Sequence, residues 1–174
     1  MEGSPSHPIE DLTMSNIRIE YRGGGTPSDA AIMPQEDPHA YPEPERHGKM
    51  PAYGLFARHV RGIELHDIHF SYSVADSRPA IVLQDVIGAG FRHVLAAHEK
   101  GVPVLVLGKS GAVTTQDVSD VPDLRLDPAD PAGGSVRLAV ALAKAHVDRL
   151  PLLRSPDTRL HFPHRECNDP IPRI

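Results

Sequence analysis

Glu43 and Glu45, separated only by Pro44 and followed by Arg46 and His47, form a compact titratable group in this 174-residue sequence. Two neighbouring carboxylates can share acid and base work when their surroundings pull their proton affinities apart. A charged loop is more often simply solvated, so position in the fold has to decide. His66 and His69 make a His-x-x-His pair in a chain with 11 histidines. Zinc needs three or four ligands converging on one point, and a strand broken by a corner between these two aims them apart. A surface role is expected, and no metal. Gly108-Lys109-Ser110 has the ending of a phosphate-binding loop, but the glycine required five residues before Gly108 is Pro103. Gly23-Gly24-Gly25 lacks a nucleotide-loop setting and suits a sharp exit of the chain, since glycine accepts positive φ. Cys167 is the single cysteine, so there is no disulfide framework, and no nucleophilic role is indicated. None of these motifs implies a cofactor.

The backbone that must hold such groups is repetitive. Sliding Val60-Arg61-Gly62-Ile63-Glu64-Leu65-His66-Asp67-Ile68 by 26 positions lands on Val86 to Val94, and a further 24 reaches Ser110 to Val118. Going back 51 gives Ile9 to Ile17. Three apolar columns result: Leu12/Ile63/Ala89/Val113, Met14/Leu65/Phe91/Thr115 and Ile17/Ile68/Val94/Val118. Spacing of two, then three, describes short strands broken by a corner, because alternate strand residues share a face. Asn16, Asp67, His93 and Asp117 stand before the last column, and Asn and Asp suit corners. A second strand precedes each later block, with columns Leu55/Ile81/Leu105 and Ala57/Leu83/Leu107. A period near two dozen residues points to a solenoid, and it is too short for a strand–helix–strand crossover. The expected fold is all-β: a right-handed parallel β-helix of about four rungs, each buried by its neighbours. An antiparallel sandwich also uses short strands but needs no column identity at a constant offset, and Asn-Gly and Asp-Gly dipeptides are absent.

Residues 1–126 are expected to hold these rungs, with a long inserted loop at 22–52. The first rung starts at Ile9 with no cap before it, so its exposed edge should favour self-association. Pro34, Pro38, Pro42, Pro44 and Pro51 punctuate the insertion, while Tyr41, Tyr53 and Ala30-Ala31-Ile32-Met33 suggest docking. Residues 127–174 start as a Pro/Asp/Gly linker. Val136, Ala139, Val140, Ala143, Val147 and Leu150 predict a helix over 135–150 that would cover the solenoid's open end, followed by an unstructured tail. A net charge of −5 argues against nucleic acid, no apolar run reaches membrane-span length, and residues 1–8 lack the features of a secretory signal.

The run Pro8 to Ile19 followed by Gly23-Gly24-Gly25, together with Ala40-Tyr41-Pro42-Glu43-Pro44, Pro51-Ala52-Tyr53-Gly54 and Arg58-His59-Val60, resembles glycoside hydrolase family 28, the polygalacturonase-like hydrolases. The resemblance covers roughly residues 5–126 and only the final rungs of that family's β-helix, whose usual finish looks like Val121 to Leu126. It implies a C-terminal part of an inverting hydrolase acting on pectin-type, galacturonan-like polysaccharide. Members usually work outside the cytoplasm. Inversion needs two carboxylates about 6.5–9.5 Å apart. The family's Asn-Thr-Asp, Asp-Asp, Gly-His-Gly and Arg-Ile-Lys motifs are all missing here, so no catalytic residue is assigned and the chain alone should be inactive. Under this resemblance Tyr41 and Tyr53 would stack on sugar rings and Arg58 would pair a uronate carboxylate, with Glu43 and His59 beside them. Arg58-His59 becomes Gln84-Asp85 one repeat later, so the fold itself does not demand a basic pair there. The other readings are a non-catalytic β-solenoid that binds carbohydrate or a partner, and a distinct β-helix enzyme with a different active site.

Overall fold

The computed structural model describes residues 1–36 and 48–126. Among these residues six strands and one short helix follow one another: β1 (Ile9–Gly23), α1 (Pro27–Ala30), β2 (Leu55–Val74), β3 (Ile81–Ala96), β4 (Leu105–Gly108), β5 (Gly111–Val118) and β6 (Leu124–Leu126). They form one sheet in the order β1-β2-β3-β5-β6, with β4 also on β3. Every pairing is parallel except that of β5 with β6. The described residues are therefore mostly β, in one mixed, mostly parallel sheet.

Register follows the repeat. Leu12 lies beside Ile63, Ile63 beside Ala89 and Ala89 beside Val113. Leu65 faces Phe91, and Leu55/Ile81/Leu105 and Ala57/Leu83/Leu107 form the two further inward columns. Side chains in these columns are buried from β2 to β5: Ile63, Leu65, Leu83 and Val113 are fully inaccessible. Such stacking is what one-sided strands require, because apolar faces leave water only against a neighbour.

Corners explain how strands as long as β2 stay compact. Asn16, Asp67, His93 and Asp117, the expected corner residues, have φ of 54°, 54°, 53° and 53°. Two more corner columns accompany them. Asp11, Gly62, Gly88 and Ala112 have φ of 51°, 82°, 77° and 53°, and His59, Asp85 and Lys109 have φ of 53°, 50° and 49°. Left-handed backbone costs a residue with a Cβ about 1 kcal/mol or more. Ala112 meets that cost without the side-chain hydrogen bonding that helps Asp and Asn. Ala112→Gly is expected to raise stability by about 1 kcal/mol, seen as a higher urea midpoint at unchanged slope.

Both ends of the sheet carry further contacts. Residues 1–8 do not merely precede the first strand. Glu2 bridges Arg58 in parallel, Gly3 N–H donates to Arg58 O, and Ser4 and His7 close a turn. At the other end β6 folds back antiparallel on β5. The buried Thr115 hydroxyl donates to Pro122 O at 2.7 Å and accepts from Leu124 N–H at 3.2 Å. The polar member of the Leu65/Phe91/Thr115 column is thereby satisfied by the closing turn. The helix expected over 135–150 lies outside the described residues.

The insertion departs at Gly23, φ 75°, where a Cβ would meet Val74 O at 1.9 Å. Only glycine fits that approach. Thr26 then caps α1 in a capping box with Asp29. Asp29 is held at about 2 by the backbone N–H of Thr26 and by Lys49. This four-residue helix is too short to have left a period in the sequence.

Candidate functional site

Tyr53 is 5% exposed, and its ring meets Tyr21 and Tyr72 edge-on at centroid distances of 5.7 and 5.2 Å. Its hydroxyl donates to Ala97 O, and burial pushes that hydroxyl's pKa upward. Such perpendicular contacts suit the quadrupoles of aromatic rings. The ring packs in the hydrophobic core just before β2 and is largely closed to solvent.

Arg58, 1% exposed, is the largest fully buried side chain. Its Nη1 donates to Pro34 O at 2.8 Å and lies 3.3 Å from Glu36, while Nη2 donates to Glu2 at 2.5 Å. The guanidinium also stands 5.5 Å from the Phe56 ring centroid. One side chain thus ties the insertion and the N-terminal segment to β2. Next to it, His59 Nδ1 lies 2.6 Å from Asp85 Oδ2 and Nε2 lies 3.3 Å from Glu36, too poorly aligned for a hydrogen bond. Burial raises the Asp85 carboxyl pKa, but the His59 hydrogen bond and the Arg61 charge outweigh it and hold it below the ordinary value. Asp85, one repeat after His59, is therefore its hydrogen-bond partner. Arg58, His59 and Tyr53 are all buried. Tyr41, Glu43, Glu45, Arg46, His47 and Cys167 lie outside the described residues.

A polar groove of about 430 Å³ crosses the outer face of β2, β3 and β5. Three outward rows line it: Gly62/Gly88/Ala112 on one side, Glu64/Gly90/Thr114 in the middle and His66/Arg92/Gln116 on the other. Glu64 Oε2 lies 3.6 Å from His66 Nε2, and His66 Nδ1 lies 3.4 Å from Arg92 Nη2. Glu64 reaches across Gly90, where any Cβ would strike its carboxylate. A linked acid, imidazole and guanidinium beside a row of small residues can hydrogen-bond a hydroxyl-rich or carboxylated ligand. Sequence reasoning named His66 only as a surface residue and passed over Glu64, Arg92 and Gln116. Their signal was there: they are the outward alternates beside buried Leu65, Phe91 and Thr115.

His69 does not join His66 in this groove, and no group of three metal-ligating side chains forms among the described residues. Lys109, from the Gly-Lys-Ser sequence, is a left-handed corner residue, and Ser110 supports the turn by accepting from Val86 N–H. A second, mostly apolar groove of about 680 Å³ lies between α1 with Ile32 and Met33 and the outer face of β3 and β4. No helix among the described residues is long and apolar enough to cross a membrane. Comparison with protein-family models, curated proteins and solved structures finds no match to this chain.

Proposed function

We infer that the described residues are the last coils of a right-handed parallel β-helix of polygalacturonase type, a scaffold for pectin-type polysaccharide rather than a complete catalyst. The observation that carries this reading is the constant register, with three left-handed corners recurring at the same place in successive strands. Crossovers between parallel strands of one sheet are almost always right-handed, which supports reading successive strands as coils of one solenoid. Corners at Asp67, His93 and Asp117 then turn the chain from one face to the next.

Carbohydrate binding without turnover is the second reading, and the polar groove favours it. The groove runs across the strands, whose spacing of about 4.8 Å is close to one pyranose repeat in an extended polysaccharide. Arg92 and Gln116 would meet a uronate carboxylate and hydroxyl, with Glu64 accepting from a second hydroxyl. One carboxylate in the groove is insufficient for inverting hydrolysis, which needs an acid and a base on opposite sides of the ring.

The purified chain is accordingly expected to release no reducing ends from polygalacturonate, and release above the buffer blank would overturn this assignment. Oligogalacturonide binding should appear near millimolar Kd by NMR titration and weaken about tenfold in Arg92→Ala. Binding unchanged by Arg92→Ala would remove the groove from the reading; no binding at all would leave only the scaffold role.

A further inference from the structure

β1 is the edge of the sheet, and among the described residues neither proline nor a paired strand protects its outer side. It is 15 residues long, where natural edges are short or carry proline, inward charges or covering loops. Between Ile9 and Gly23 there is no proline, and Ile9, Leu12, Met14, Ile17, Ile19 and Tyr21 all pack against the core. They are only partly buried. In β2 the same columns continue as Ile63, Leu65 and Ile68, each exposed by 1% or less. No pairing strand occupies the outer edge of β1 among the described residues.

We propose that two copies of this chain pair through β1, antiparallel about a two-fold axis at Thr13, so that the two stacks meet end to end. The sequence of β1 complements itself in that arrangement. Thr13 opposite Thr13 brings Leu12 of each copy against Met14 of the other, and Ile9 against Ile17. Every apolar residue in those pairs faces inward, so both apolar columns run on into the second molecule. The corners at Asp11 and Asn16 meet residues Ser15 and Glu10, within one position of the partner's own corners. Glu10 lies diagonal to the partner copy's Arg18, within reach of such a cross-strand pair. A one-residue slip would turn these apolar residues toward polar neighbours, so the register is set by the columns themselves. The inference rests on the edge strand alone and not on the polysaccharide reading.

Sedimentation of the full chain tests it. A mass of two chains that dissociates on dilution is expected. Met14→Lys places a charge in the shared column, where a partner would have to bury it, yet leaves it free to reach water in the single chain. It should weaken association by at least about 100-fold while far-UV circular dichroism and the urea midpoint show a folded monomer. Thr13→Cys, made with Cys167→Ser, fixes the register. Directly opposed residues have Cα separations of about 4.5–5.5 Å, within the range a disulfide spans. Oxidation should therefore link two chains through position 13, and Arg22→Cys in the same background should not link. A wild-type chain that stays monomeric at all concentrations overturns the proposal. So does a dimer that Met14→Lys leaves intact, or one that fails to cross-link through Thr13→Cys. None of these results bears on reducing-end release, so the two readings fail separately.

Discussion

Phe91→Ala is expected to lower stability by about 3–5 kcal/mol, measured as a fall in urea midpoint with two-state slope retained. Phe91 is 2% exposed, with Leu65 on one side of its column and Thr115 on the other. Truncation removes the ring's contacts in both neighbouring strands and leaves a cavity that backbone ladders on each side keep open. A domain of this size has about 5–15 kcal/mol in total, so the variant should lie near the edge of folding. Leu95→Ala is the control. Leu95 is 41% exposed on the outer surface of the same strand, and its truncation should change stability by no more than about 0.5 kcal/mol. Equal losses for the two would mean that the inward columns do not carry the core.

That contrast shows which parts of the fold the sequence encodes openly. Inward columns repeat as residue types, since every layer of a stack needs an aliphatic or aromatic side chain in the same place. The offsets of 51, 26 and 24 residues from Ile9 to Val60, Val60 to Val86 and Val86 to Ser110 could therefore be read directly, and the pairing registers follow them. Corners repeat as backbone geometry instead. The column Asp11/Gly62/Gly88/Ala112 shares a positive φ but no common chemistry, and His59/Asp85/Lys109 shares still less. Only the Asn/Asp-rich corner was recognisable. The closing turn of β6 depends on one hydroxyl, Thr115, which in sequence looks like a weak member of an apolar column.

Candidate site residues were less legible for a related reason. Tyr53 and Arg58 are types that bind sugars and uronates when exposed. Their burial is decided by partners far along the chain: Tyr21 and Ala97 for one, Glu2 and Pro34 for the other. No local pattern reports such contacts. Glu64, His66, Arg92 and Gln116 stand where alternation directs side chains outward, and the register alone assembles them into a groove. Polar residues at the same outward position in consecutive repeats are the feature that would have found it.

Asp76→Ala should cost about 3–5 kcal/mol, because it leaves a largely buried cation without its partner. Asp76 is fully inaccessible and accepts from Gly25 N–H, Arg78 N–H, Arg78 Nε and Arg78 Nη2, the last at 2.7 Å. Arg78 Nη1 in turn donates to Met50 O. One ion pair therefore holds both ends of the insertion, at Gly25 and at Met50. Burial alone would raise the Asp76 carboxyl, but these hydrogen bonds outweigh it and leave its pKa below the ordinary carboxylate value. The sign of the pH dependence follows. Stability from this group is present above the unfolded carboxylate value of about 3.9 and is lost as pH falls through the lower folded value. Wild type should consequently lose protection of the Gly25 amide on acidification, while Asp76→Ala should lack that protection already at neutral pH. Proteolysis separates this local role from a global one: faster cleavage at Lys49 in Asp76→Ala, with cuts inside β2 and β3 remaining slow, is the expected pattern. Cleavage rising equally in the strands would mean that the pair holds the stack itself rather than the loop laid against it.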